Sequence, residues 1–445
     1  GSKEIDPEKR REFYMNVSRY LYEDLPVIPY WRVVNTFILR KEVEGFNPIT
    51  DSDTLYNWYI PGKDEIKYVQ PTDAKTLNPI FTTDGYSYRA AIGPVYDGLV
   101  ALNEEYEPVP AIAKSWEWIN NTFIVFYLRD DVYWHDGVQV TAEDVKFTFD
   151  AIMNPEVGAV DYKQCIDVIE EVIAINEFSV GFKLKSPYAP FLTMIADNEI
   201  IPKHILENVP YSEWRHHWTN TGVDEDGNPR MPIGCGPYRM VEWKRDQYIK
   251  LEAFDKYYRG KPKTKTIYMM VIPDSATAYA AIQKGEVDIL NDWFGWTPKD
   301  IQSAQDDPNL KTASYRILGP QLIGINFAHP ILQNKYVRWA INYMIPREHI
   351  VKNILGGVAG EPAYQFLAPE TLGHNPELPP VPYDPEKARG MMEKAGYRYE
   401  WLEEKPLPTW VYIAPVGTFI AGLVIGFAVV KVVISRRGAA EVATS

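Results

Sequence analysis

The chain has 445 residues, 46 Lys+Arg against 60 Asp+Glu (net charge −14), with 46% hydrophobic and 13% aromatic residues. That length supplies two or three domains with sizeable cores, and 13 Trp, 30 Tyr and 17 Phe exclude disorder. The acidity excludes nucleic acid as a partner, since phosphate binding needs a basic stripe, and two cysteines exclude a disulfide scaffold or a Cys-rich zinc module.

The N-terminal GSKEIDPEKRREFY has no apolar stretch behind a basic start, so no signal peptide is expected there. Asp6-Pro7-Glu8 reads as a helix start, with an Asp cap, Pro at the first position and acid in the first turn. Tyr14, Val17, Tyr20 and Leu21 continue it as an apolar stripe until Pro26 and Pro29 break the pattern. Residues 31–39 (WRVVNTFIL) read as a buried strand, and 43–65 as loop-rich. A new unit starts at Ile66. Residues 116–128 form a hairpin turning at Asn120-Asn121, Thr141 to Asp144 form a capping box ahead of a helix through Val145, Phe149 and Ile152, and 172–186 form a second hairpin. Residues 219–233 are a polar, turn-rich boundary.

Two strands are predicted over 238–251, turning at Lys244-Arg245-Asp246, and another over 267–272. A helix over 275–284 stops at Gly285, and 324–327 reads as a short strand. Residues 337–355 are helical except at Pro346-Arg347-Glu348, and Asp384-Pro385-Glu386 opens a helix that stops at Gly396. Strands and helices mix throughout, which makes the class α/β or α+β.

After a Pro-bearing linker at 401–409, the 20 residues from Val411 to Val430 carry no charge; as a helix they span about 30 Å, the hydrocarbon thickness. Lys431, Arg436 and Arg437 follow, and Trp410 and Tyr412 suit an interfacial belt. These features predict a single-pass cell-membrane anchor over 410–431, a cytoplasmic tail over 432–445, and an extracellular remainder. An outside location makes Cys165 and Cys235 a candidate disulfide, with two separate buried thiols as the alternative.

No motif for catalysis is present: GxSxG, HExxH, P-loop and GxGxxG are all missing. His135-Asp136-Gly137 reads as a structural turn, and the adjacent His216 and His217 point about 100° apart on a helix, which is wrong for a shared metal. No enzyme activity, metal or cofactor is expected.

Several blocks, in order, resemble the family 5 extracellular solute-binding proteins, the peptide and oligosaccharide receptors of ABC importers. They are 95–118 (VYDGLVALNEEYEPVPAIAKSWEW), 126–149 (FYLRDDVYWHDGVQVTAEDVKFTF), 234–274 (GCGPYRMVEWKRDQYIKLEAFDKYYRGKPKTKTIYMMVIPD), 281–290 (AIQKGEVDIL), 324–329 (GINFAH) with 337–351 (VRWAINYMIPREHIV), and 384–397 (DPEKARGMMEKAGY). Cys235 stands where the family's Gly-Thr-Gly-Pro-Tyr has its Thr. Residues 6–60 look like the family's C-terminal end, yet here they come first, and the block that would join Tyr397 to Asp6 is absent. That order is a circular permutation with a deletion, or a fragment after a neighbouring copy. The absent block is where peptide binders of the family carry the acid that pairs with a peptide's α-amine, which leaves peptide and sugar both open.

The resemblance implies a two-lobed, type II periplasmic-binding-protein-like fold that closes on its ligand. It places 1–42 as the return through lobe 2, 43–100 and 231–290 in lobe 1, 101–230 as an extra subdomain of lobe 1, and 291–400 as an incomplete lobe 2. It implies an oligopeptide or oligosaccharide ligand and ABC permease subunits as partners. Aromatic faces with a few placed polar groups suit such a pocket. Asp292, Trp293, Phe294 and Trp296, at the crossing into the second lobe, are the leading candidates; Tyr86, Ser87, Asn326, Tyr30 and Trp31 follow. Two alternatives accompany this reading, a surface-anchored hydrolase of peptides or glycans and a truncated homologue that no longer closes.

Overall fold

The computed structural model describes residues 3–50 and 54–397. The chain opens on the helix Pro7–Asp24, where Asp6 accepts from the amides of Glu8 and Lys9. The strands in chain order are β1 (Val27–Arg40), β2 (Glu65–Gln70), β3 (Val100–Leu102), β4 (Pro108–Pro110), β5 (Ala113–Asn120), β6 (Phe123–Leu128) and β7 (Ile169–Asn176). Then follow β8 (Ser179–Leu184), β9 (Tyr238–Lys244), β10 (Tyr248–Ala253), β11 (Thr266–Val271), β12 (Ile289–Leu290), β13 (Leu310–Gly324) and β14 (Gly360–Pro362).

Among the described residues the largest sheet has eight strands in the order β13-β1-β12-β2-β11-β10-β9, with β14 also pairing with β1. β2 runs parallel to β11 and β12, and the other pairs are antiparallel. One face of this sheet buries Phe37, Trp58, Tyr68 and Tyr238. The other buries Ile38, Val69 and Leu290 against the helices Ser275–Gln283 and Pro298–Asp306. A separate antiparallel sheet, β5-β6-β8-β7, packs on the helix Ala142–Ile152 around Phe126, Phe149, Phe182 and Phe191. Burying such side chains contributes roughly 1.5–3 kcal/mol each, so this unit has a full core of its own.

Local signals in the sequence mark these elements well. Asn120 Oδ1 accepts from the Thr122 amide and turns the β5–β6 hairpin, and Asp144 Oδ2 closes the capping box on Thr141. Gly285 (φ 73°) and Gly396 (φ 87°) follow their helices in the left-handed conformation that glycine adopts without a Cβ clash.

Two strands depart from expectation. β1 starts at Val27 rather than 31, because its register with β13 shifts between Pro29 and Trp31, and that irregularity accommodates the proline. Of the short strand expected over 324–327, only Gly324 is strand, as the last residue of β13, and a turn follows at 327–328. The interruption near Pro346 is a break between the helix Lys335–Tyr343 and a new turn that begins at Arg347.

The first 40 residues lie against the last part of the described chain. Ser18 Oγ donates to the Gly373 carbonyl and Tyr22 Oη to that of Pro379. Arg338 Nε and Trp339 Nε1 donate to the carbonyls of Asp24 and Glu23. The buried Arg347 reaches the Pro29 carbonyl (2.7 Å) and that of Ala363 (2.9 Å). The apolar cluster here is small, with Leu25, Ile28 and Ile345 as its buried members.

Two expectations are corrected. No helix among the described residues is long and apolar enough to cross a membrane, so the single-pass membrane location with an extracellular binding domain is withdrawn. Residues 411–430, on which it rested, lie outside the described residues, as do the linker and the tail. Cys165 and Cys235 are not a disulfide; each is a buried free thiol in the core around β5–β8. Burial pushes the Cys165 thiol up to about 12.

Candidate functional site

Strands β13, β1 and β12 lie side by side, and the polar groups they carry converge on one carboxylate. β12 has two residues, after which Asn291 caps a 3-10 turn, Asp292–Phe294. Asn291 Oδ1 accepts from the Trp293 amide (2.6 Å), and Asn291 Nδ2 donates to Tyr68 Oη (2.6 Å). Gly295, at φ 67°, ends the turn.

The Asp292 side chain is 0% exposed. Its Oδ1 accepts from Arg89 Nη1 at 2.9 Å and its Oδ2 from Tyr315 Oη, also at 2.9 Å. Tyr315 in turn accepts from Asn35 Nδ2 (3.0 Å), and the adjacent pair Thr36 and Ser314 share a hydroxyl contact of 2.9 Å. Burial, and then the Asp292 charge, hold the Tyr315 phenol above its ordinary value. A buried carboxylate persists only where it is paired and hydrogen-bonded. Here the partners come from two other segments, the Tyr88–Ile92 turn and β13.

Arg89 sits on the π-helical turn Tyr88–Ile92. Its guanidinium lies 4.2 Å from the Trp293 ring centroid and 5.2 Å from that of Phe37 on β1. Tyr86 meets Trp293 edge-on, with centroids 4.7 Å apart at 89°. Gly85 leaves the space the indole uses, since a Cβ there would come within 1.9 Å of Trp293 Cη2. Tyr86 and Trp293 are both half-buried. Burial, followed by the Asp292 charge, raises the Tyr86 phenol. The result is a partly open aromatic corner on a neutralised ionic base.

Of the residues singled out from sequence, Asp292, Trp293 and Tyr86 come together. Ser87 lies beneath them, buried and internally bonded: its amide and hydroxyl donate to Asp84, and its oxygen accepts from the Lys75 amide. Phe294 and Trp296 go elsewhere. Their rings pair at 4.9 Å within the core on the helix-covered face of the large sheet, and Trp296 Nε1 donates to the Asn291 carbonyl. Tyr30 packs on the Leu25–Ile28–Ile345 cluster, and Trp31 lies against Gly360, where a Cβ would approach the ring to 2.5 Å. Asn326 is an exposed turn residue whose Oδ1 accepts from the Ala328 amide.

Arg89, Tyr315, Asn35 and Gly85 escape the sequence reading. So does a second ionic group, in which the buried Arg32 on β1 pairs with Glu361 and Glu370 and Arg316 pairs with Glu361. The hydrogen bond from Arg32 holds the Glu370 carboxyl below its ordinary range. Tyr106 (φ 61°), between β3 and β4, has its phenol raised by burial and then by the Glu370 charge.

His135 has a structural role. His135 Nδ1 accepts from the Gly234 amide and Nε2 donates to the Gly236 carbonyl, and burial lowers the ring to about 4. Among the described residues, no cluster of His, Cys, Asp or Glu has the geometry to hold a metal ion.

The profile for "Bacterial extracellular solute-binding proteins, family 5 Middle" matches residues 107–418. The oligopeptide-binding protein AppA of Bacillus subtilis is 33% identical over 330 residues, covering 72% of this chain and 57% of that protein. Its solved structure with a nonapeptide superposes at a TM-score of 0.59 with 28% identity, over 75% of this chain and 64% of that one. The dipeptide-binding protein of Escherichia coli is 28% identical over 349 residues, covering 74% of this chain and 63% of that protein. NikZ from Campylobacter jejuni, solved with Ni(L-His), gives a TM-score of 0.56 at 29% identity, over 76% of this chain and 64% of that one. The chain thus spans about three fifths of the length of these curated relatives.

Proposed function

We propose a function from one premise: this chain belongs to the bacterial extracellular solute-binding proteins of family 5. Its fold is the mixed α/β, two-lobed binding-protein fold of the solved structures it matches, and its relatives bind solutes rather than transform them. The chain is a receptor that captures an oligopeptide between two lobes and delivers it to the permease subunits of an ABC importer. Lobe 1 comprises 43–100 and 231–290 with 101–230 as its subdomain; 291–400 together with 1–42 forms the second. Oligopeptide is favoured over oligosaccharide because two of the three relatives cited are named for oligopeptides and dipeptides and none for a sugar.

One observation supports the location of the site: the half-buried pair Trp293 and Tyr86, held over Asp292 and Arg89 beside β1, β12 and β13. Such rings present a flat apolar face with a polar tip, which suits peptide side chains and backbone.

The test is a thermal-shift series with dipeptides to nonapeptides, with malto-oligosaccharides and Ni(L-His) run in parallel. A ligand at 100 times its Kd stabilises the folded state by about 2.7 kcal/mol. A saturable rise in Tm with peptides alone is the expected result. No rise with any peptide, in a protein that melts cooperatively, refutes the proposal.

A second reading is a homologue that binds without closing. Small-angle scattering with saturating peptide separates the two: compaction marks hinge closure, and binding without compaction marks the second.

A further inference from the structure

We propose that Arg89 is a positioning residue of the ligand site, fixing the Trp293 indole in its ligand-facing orientation and coupling it to strands β1 and β13. The proposal rests on the reading of Trp293 as a lining residue. Arg89 performs two tasks with one planar group. Its Nη1 is tied to Asp292 Oδ1 at 2.9 Å, while its central carbon sits over the Trp293 ring, 4.2 Å from the centroid. Phe37, a β1 residue, lies 5.2 Å from the same guanidinium. The Arg89 side chain is 8% exposed, so these contacts are shielded from the water that weakens exposed cation–π pairs.

Asp292 passes the constraint on. Its second oxygen accepts from Tyr315 on β13, and Tyr315 accepts from Asn35 on β1. A bend between these strands moves the Tyr315 hydroxyl relative to Asn35, hence the carboxylate, hence the guanidinium under the indole. Arg89 and Asp292 neutralise one another, and the ring above them is an uncharged platform. The site therefore selects an uncharged aliphatic or aromatic side chain against Trp293, rather than a carboxylate.

Lysine keeps the charge for Asp292 but cannot stack as a plane, so Arg89→Lys separates positioning from ion pairing. The protein is labelled with 5-fluorotryptophan, and the Trp293 resonance among the 13 Trp is assigned from the spectrum of Trp293→Phe. In Arg89→Lys, without ligand, the Trp293 fluorine signal is expected to move or broaden while the other Trp signals and the cooperative melt are retained. An unmoved, sharp signal overturns the proposal. Tyr315→Phe provides the second variant should Arg89→Lys fail to fold: it removes one hydroxyl and is expected to broaden Trp293, and an unchanged line there is equally decisive against the coupling. With an alanine-based tetrapeptide carrying one Leu or Phe, Arg89→Lys is expected to bind about tenfold more weakly. Wild-type affinity in that variant overturns the positioning role. Wild-type protein that binds no peptide refutes the proposed function alone, since the fluorine signal is read on the free protein.

Discussion

Gly85→Ala tests the packing of the aromatic corner most directly. Gly85 opens the short helix Gly85–Ser87 after the Asp84 cap, and its φ lies outside the left-handed region, so alanine meets no backbone strain. The obstacle is the indole: the new Cβ would lie 1.9 Å from Trp293 Cη2, 2.7 Å from Cζ3 and 2.8 Å from Cζ2. Carbon atoms sit at about 3.5–4.0 Å, so the ring must travel about 1.6 Å or more (3.5 − 1.9). Any such movement disturbs the contact with the guanidinium, 4.2 Å from the ring centroid and itself tied to Asp292. Overpacking of this kind costs about 1–3 kcal/mol. If the ring swings out instead, it forfeits the edge contact with Tyr86 and the Arg89 stack, each contributing about 0.5–1.5 kcal/mol. Alanine's helix preference over glycine offsets at most about 1 kcal/mol, and less in a first turn. The net expectation is a loss of about 1–3 kcal/mol, seen as a Tm lower by a few degrees, with a red-shifted Trp emission and at least tenfold weaker peptide binding. A variant as stable as wild type, with the same emission and affinity, would refute the packing described for Trp293.

Two buried groups give opposite pH dependences in nearly the same window. His135 has an ordinary value of 6.5 and is held at about 4 by burial, so stability is lost as pH falls from about 6.5 to 4, by up to about 3 kcal/mol; His135→Gln should flatten that limb in urea titrations at stepped pH. Asp197 is raised by burial to about 6, so its contribution is present below about 4 and lost as pH rises to 6. Asp197→Asn should therefore stabilise at pH 7 by about 1–2 kcal/mol, allowing for its partial exposure, and not at pH 4. Cys165 and Cys235 should react with a thiol reagent after denaturation and not before, and reducing agent should leave Tm unchanged; two thiols titrating in the native protein would contradict their burial. Arg347→Met removes the donor shared by the carbonyls of Pro29, Ala363 and Asn342, and should cost about 3 kcal/mol in urea unfolding through acceptors left unpaired.

How much of this fold was legible depended on how far along the chain each decision is made. The Asp6 cap, the Thr141–Asp144 box, the Asn120 turn and the glycines at 285 and 396 act within about four residues, and each stands where the sequence placed it. β13 did not read as one strand. Its sequence LKTASYRILGPQLIG has Gly319-Pro320 near its middle and weak alternation, and its 15 residues are held extended by pairing with β1, 270 to 297 positions away. The start of β1 was hidden for the same reason. Pro29 reads locally as a breaker, and the partner strand's register shift is what admits it.

The candidate site divides along the same line. Asp292 and Trp293 were accessible because they directly follow a strand, but neighbours of identical type were not separable from them: a 3-10 turn rotates successive side chains apart, so Phe294 and Trp296 enter a core while Trp293 does not. Arg89 carried a signal that went unused. It interrupts an otherwise apolar run, Ala90-Ala91-Ile92 following directly, and an arginine buried in such a run must have a paired acid. Local sequence states that a partner exists; only the fold, bridging 203 positions, states that it is Asp292. An isolated charge in an apolar stretch is therefore better evidence for a long-range polar contact than the aromatic content around it. The aromatic rings here fill cores and the half-buried corner alike, whereas the buried Arg89 marks the place where segments from Tyr86 to Tyr315 are fastened together.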